Sequence, residues 1–376
     1  MTRKKSSKLK LIPMALYIIV GGLSGYLLGY LMGSLNIGGG PLATFILFIV
    51  SFVASFYIQM ILHEAGHLVF GLLSGYRFSS FRIGNTMLLR TSKGWSLKRM
   101  KLAGTGGQCL MIPPELVEGR MPIVAYNLGG VIMNLITASI ALAILLLMET
   151  KGYLFFFLIV FSAAGILIAI LNGVPLKLGL VDNDGYNTLS LKRSKKALRA
   201  FWIQLKINQA QSEGVRLKDM PSSWFDLPDE SDMGNTIISA LAVFNENRLM
   251  DEQRFEEAEA LIKKLLDSQM ISIGLYEKLL IADFIYIEAI TTKSKEVIDK
   301  LYNKEQAAFM KAMKSFPSVI RTEYALALLN NDERNRDEAL KRFERISKTY
   351  PNPSDIVSEG ELIKTAEAIL GKEDDQ

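Results

Sequence analysis

Four apolar runs, at about 11–35, 41–75, 122–148 and 153–175, are each long enough to cross the hydrocarbon core of a bilayer, which takes about 20 helical residues. No other feature constrains the chain as much. Within lipid every backbone N–H and C=O must be satisfied inside the segment, so each run has to be a helix. The composition agrees: 49% of the 376 residues are hydrophobic and the mean hydropathy is +0.22, both high for a soluble protein. No comparable run follows Pro175. The basic start MTRKKSSKLKLIPM leads into a run too long for a signal-peptide core and without a small-residue cleavage site, so 11–35 is expected to remain as an anchor.

Basic residues orient these spans. Arg3, Lys4, Lys5, Lys8 and Lys10 precede the first, and Arg77, Arg82, Arg90, Lys93, Lys98, Arg99 and Lys101 follow the second. The links NIGGG and ETKG are nearly neutral. The positive-inside rule then puts the N-terminus, the 76–121 loop and everything after about 176 in the cytosol, which makes a multi-pass cell-membrane protein with both termini cytosolic. In the first span Gly21, Gly25, Gly29 and Gly33 line one helix face, a pattern that permits close packing on a neighbouring helix.

Between the second and third runs, YRFSSFRIGNTMLLRTSKGW alternates as a strand pair turned at Gly84 and Asn85 would, and LAGTGGQCLMI offers one more strand. The competing reading is an irregular basic loop on anionic headgroups. From Leu189 the chain becomes charged and helical in period, with a linker around PSSWFDLPDESDMGN. EQAAFMKAMKSFP and EALKRFERISKTYP align at an offset of 34, matching Phe309 with Phe343 and Pro317 with Pro351, which is the period of tetratricopeptide repeats. The expected fold is therefore an all-α polytopic membrane protein of about four transmembrane helices, with a small membrane-associated β element and a soluble α-helical hairpin, tetratricopeptide-like domain. Its parts are a basic N-terminus (1–10), a membrane domain (11–187), a linker and helical connector (188–235) and a cytosolic helical domain (236–376).

The only two histidines of the chain, His63 and His67, sit in the second run, four residues apart, with Glu64 between them. On a helix that spacing puts both imidazoles on one face, within reach of one Zn2+, while Glu64 stands about 100° round the helix, where it can act as general base on a zinc-bound water. Ionisable groups inside a span cost about 2.5–3.5 kcal/mol each on insertion scales, which favours function over chance. The bland alternative is a histidine pair that hydrogen-bonds helices together. A catalytic zinc needs a third protein ligand, for which carboxylates and the single cysteine, Cys109, are available. The best placed lie in LNGVPLKLGLVDNDGYN: Pro175 breaks the fourth run, and Asp182 and Asp184 follow it.

These residues resemble the site-two proteases, a family of intramembrane zinc metalloproteases. The likeness rests on HEAGH within a span and on Asn172, Pro175 and the Asp184-Gly185 pair, with softer support from GGVIMN (Gly129 to Asn134), FRIG and GGQCLM; it covers residues 41 to about 187. It implies that Asp184 is the third metal ligand and that Asn172 positions substrate or lies on the oxyanion side. Eight residues separate Pro175 from Asp184, more than in the family's pattern, which keeps Asp182 in contention. The function so implied is hydrolysis of a peptide bond in or near a transmembrane segment of a membrane protein or peptide, with Glu64 as base and Zn2+ as cofactor. The alternative is an inactive zinc-binding membrane adaptor or peptide-immunity factor that recruits partners through its helical domain. Expected partners are the lipid bilayer, the membrane substrate and a protein or peptide bound by the helical domain; no nucleic acid is expected.

Overall fold

The computed structural model describes residues 40–100, 106–147, 152–176, 182–267 and 274–371, with Gly22 and Tyr26. The expected first span and its glycine stripe lie outside the described residues. The chain divides into two compact units: Met1–Gly75 with Pro122–Leu178 and Asp182–Leu189, and Tyr76–Met121 with Gly179–Val181 and Ser190–Gln376.

In the first unit the long helices are α1 (Gly40–Leu73), α3 (Gly129–Leu147) and α4 (Tyr153–Gly173), with a single turn, α2 (Val124–Asn127), before α3. Among the described residues these three are the helices long and apolar enough to cross a membrane. At 1.5 Å per residue, the 34 residues of α1 extend about 51 Å, well beyond a hydrocarbon core of about 30 Å. Each of the three packs on the other two. Lipid cannot drive apolar faces together, so the contacts use small residues that let backbones approach. Ser51, Ser55, Ala138, Ala141 and Ala164 are buried, while Leu42, Phe45, Ile49, Val53, Leu135, Ile140, Leu154 and Ile166 stay exposed on the outside. At the tightest crossing a Cβ added to Gly66 would land on the Gly129 carbonyl, and one added to Gly129 would lie 2.5 Å from the Gly66 oxygen.

The second unit begins with an antiparallel sheet in the order β3-β2-β1-β4, made of β1 (Arg77–Ile83), β2 (Thr86–Thr91), β3 (Gly94–Arg99) and β4 (Gly107–Ile112). The turn at Gly84 and Asn85 is where the alternation put it, with Gly84 in the left-handed region at φ 57° that a two-residue hairpin uses. A second two-residue turn, Ser92-Lys93, adds β3, which the sequence reading had not separated from β2. A bulge between Phe78 and Ser80 turns Ser79 and Ser80 to the buried face together, beside Met87 and Leu89.

Helices follow: α5 (Asp184–Arg193, whose first turns belong to the first unit), α6 (Lys195–Ser212), α7 (Thr236–Asp251), α8 (Phe255–Asp267), α9 (Gly274–Ile290), α10 (Lys295–Leu301), α11 (Lys304–Ala312), α12 (Pro317–Leu329), α13 (Glu333–Ser347) and α14 (Pro353–Leu370). Their starts are written in the sequence. Ser194, Asn235, Ser294, Asn303 and Asp332 each accept a backbone N–H of the first turn, and Pro317 and Pro353 open α12 and α14. Helix α9 is buried from Ala282 to Ile290 and forms the axis of the core, with the Tyr286 hydroxyl donating to the Leu362 carbonyl at 2.7 Å. This core contains charge: Asp283, Arg321 and Glu246 are all at most 3% exposed.

Burial pushes the Asp355 carboxyl up to about 6 and that of Glu359 up to about 7. Each holds its proton more tightly folded than unfolded, so its contribution to stability is full below its ordinary value near 4 and is lost as pH rises through the folded value. All three tryptophans, Trp95, Trp202 and Trp224, lie in this unit, so intrinsic fluorescence reports its unfolding alone. The unfolding free energy from urea titrations read by tryptophan fluorescence should fall from pH 5 to pH 8, by an amount on the order of 3 kcal/mol for Glu359 at about 1.4 kcal/mol per pKa unit. Glu359→Gln should flatten that dependence.

Candidate metal centre

Helix α1 runs unbroken through HEAGH and delivers His63 and His67 one turn apart, with their ring centroids 4.8 Å apart and both side chains buried. The two Nε2 atoms are separated by 3.2 Å. Asp184, at the start of α5, brings Oδ2 to 3.0 Å from Nε2 of His63 and 3.4 Å from Nε2 of His67. These three residues form a potential metal-binding group to which neither Asp182 nor Cys109 belongs. Glu64 is buried and stands outside this group.

The outer ring nitrogens determine what the inner ones can do. Asn134 spends both amide hydrogens on Gln59, donating to its backbone and side-chain oxygens at 2.8 Å each. Its Oδ1, 2.7 Å from Nδ1 of His63, can then only accept, so that nitrogen carries the proton. Likewise Nδ1 of His67 donates to the Tyr126 carbonyl at 2.8 Å. In the neutral form of either ring this leaves a bare Nε2 turned inward, towards the buried Oδ2 of Asp184. Three electron-pair donors at such separations repel one another unless a cation lies among them. A tetrahedral ion with nitrogen and oxygen ligands at about 2.0–2.1 Å has neighbouring ligand atoms about 3.3 Å apart, which fits the observed 3.0–3.4 Å.

The motifs that accompany HEAGH now have physical reasons. In GGVIMN, Gly129 permits the approach to Gly66, Gly130 leaves room for the His63 ring, and Asn134 sets its tautomer; a Cβ on Gly130 would lie 2.5 Å from the ring. After α4, Pro175 has no N–H to give to the Leu171 carbonyl four residues earlier. The Asn183 side chain supplies the missing donor at 2.7 Å, and donates also to Val174 O at 2.5 Å. Its Oδ1 accepts the N–H groups of Leu176 and Tyr186, both at 3.0 Å, so the same residue caps α5 and fastens it to the end of α4. A Cβ on Gly185 would collide with the Gly173 carbonyl, which is why glycine follows the aspartate. Asn172 donates to Ile168 O, one turn back in its own helix.

Sequence reasoning missed Gln59 and Asn183 and assigned Asn134 no role. Asn183 had a readable signal, an asparagine immediately before a helix start; Gln59 had none beyond a polar residue in an apolar span. If Asn134 orients His63, Asn134→Ala should weaken divalent-metal affinity about 10–100-fold, measured by competition with a chelator, while the helix content by circular dichroism stays unchanged. Gly185→Ala should displace α5 and lower metal affinity at least as much.

The family model for peptidase family M50 matches residues 51–331. No curated protein and no solved structure matches the chain. The matched stretch contains both histidines of α1 and the aspartate that joins them, and the chain therefore belongs to peptidase family M50, as a membrane metallopeptidase.

Proposed function

We propose that this chain is an intramembrane zinc endopeptidase of the site-two type, hydrolysing a peptide bond in or near a transmembrane segment of a membrane protein or peptide. The observation that carries the reading is the convergence of two inward-facing imidazole nitrogens and one buried carboxylate oxygen, with a buried glutamate next in sequence to His63. His63, His67 and Asp184 would hold the zinc, whose bound charge would supply Lewis acidity for the water and the scissile carbonyl. Glu64 takes a proton from the attacking water as the C–O bond forms, and returns it to the amine nitrogen as the C–N bond breaks. Asn172, released from its bond to Ile168, would offer Nδ2 to the substrate carbonyl. A substrate helix hides its amides and must be extended before attack; an added strand on β3 or β4, the outer strands of the sheet, would hold it so. The same proposal takes the protein as multi-pass with cytosolic termini and the helix pairs α11–α12 and α13–α14 as a tetratricopeptide-like, partner-binding part.

Purified Glu64→Gln protein should retain one zinc per chain and lose about 10²–10⁴-fold in cleavage of a membrane substrate, whereas His67→Ala and Asp184→Ala should lose both metal and cleavage. Cleavage by Glu64→Gln at the native rate would overturn Glu64 as the base, and no cleavage by the zinc-loaded native protein would leave the adaptor reading in its place.

A further inference from the structure

The second unit encloses a cavity of about 420 Å3, within the range of ligand sites. On one wall Asp283, Arg321 and Glu359 come together: Arg321 Nη2 bonds to Asp283, and Nη1 lies 3.0 Å from Glu359 Oε2. Behind them Glu246 is fully buried, and neither of its oxygens has a hydrogen-bond partner. Its carboxyl is pushed up by burial and by the nearby Asp283 and Glu359 charges. Asp355, a further wall residue, is met by Gln211 at 2.7 Å and Asn352 at 3.1 Å, both neutral. One guanidinium thus faces three carboxyl groups, with a fourth close by on the same cavity. Buried carboxylates left in excess must take up protons or a cation.

The rest of the lining decides which kind of cation fits. Leu275, Leu279, Phe316 and Leu362 form apolar walls, and Gln108, Asn208 and Asn247 add carboxamides. A bare inorganic ion would use none of these. An aliphatic stem with a charged head would lie along the apolar wall and reach the carboxyls with its tip, while its peptide groups meet the carboxamides. We propose that this cavity is a peptide-binding site whose specificity is for a lysine or arginine side chain flanked by apolar residues. Arg321 keeps the wall assembled, Asp283 and Glu359 receive the cationic head, and the Glu246 carboxyl backs them from behind the wall. The inference does not depend on the peptidase reading, because it concerns binding in the other unit.

Equilibrium dialysis of the full-length protein in detergent, in a Glu64→Gln background so that no probe is cleaved, tests it. The probes are pools of end-blocked pentapeptides with lysine, arginine, norleucine or glutamate at the centre and mixed Leu, Phe, Val and Ser around it. Lysine or arginine pools should be retained at least about tenfold over the norleucine and glutamate pools. Glu246→Gln breaks no observed hydrogen bond and Glu359→Gln is isosteric; each should reduce that retention about tenfold with the tryptophan emission unchanged. Equal retention of all four pools, retention unaffected by both substitutions, or retention of spermidine but of no peptide pool would each overturn the proposal.

Discussion

The missing N–H of Pro175 governs the arrangement of this centre. A proline at the end of an apolar helix frees the Leu171 carbonyl, and a carbonyl left unsatisfied in or beside lipid is expensive. Asn183 closes that deficit and, with its other atom, starts the next helix. One side chain therefore converts a helix break into a fixed corner, and Asp184 is the residue the corner presents. Without it the histidines would remain on α1, correctly spaced, with no third donor held against them.

On the opposite side the same logic operates through glycine and amide groups. Close approach of α1 and α3 at Gly66 and Gly129 is what brings Asn134 within hydrogen-bond reach of His63. Gln59, one turn before His63, answers both hydrogens of Asn134 and donates to the Phe161 carbonyl of α4 at 3.3 Å. The tautomer of one imidazole thus depends on the packing of three helices.

Much of this was legible beforehand. Apolar length revealed three of the four expected spans among the described residues, period two and a Gly-Asn pair revealed the first hairpin, and HEAGH with Asp184-Gly185 picked out three residues that the structure groups together. What remained hidden depends on distance between segments. Nothing local separates Asp184 from Asp182; the choice is made by Asn183 capping one residue earlier. Asn134 looked like a motif letter until its partner Gln59, 75 positions away, came into view. The strand β3 was missed because GWSLKR exposes most of its residues and so carries little hydrophobic alternation. The buried charges around Arg321 were invisible for the converse reason: Asp, Glu and Arg on helices read as solvent-facing until burial is known.

The origin of the three donors has a mechanical side. An ion held by His63, His67 and Asp184 ties the rod of α1 to a corner that follows two further helices, closing a loop of chain from His67 to Asp184. Loop closure removes freedom from the unfolded chain whatever makes the link, a thiol pair or a coordinated ion. With a single cysteine, this chain can make no covalent tie of that sort. The reactive centre would then also be the staple of the bundle that contains it.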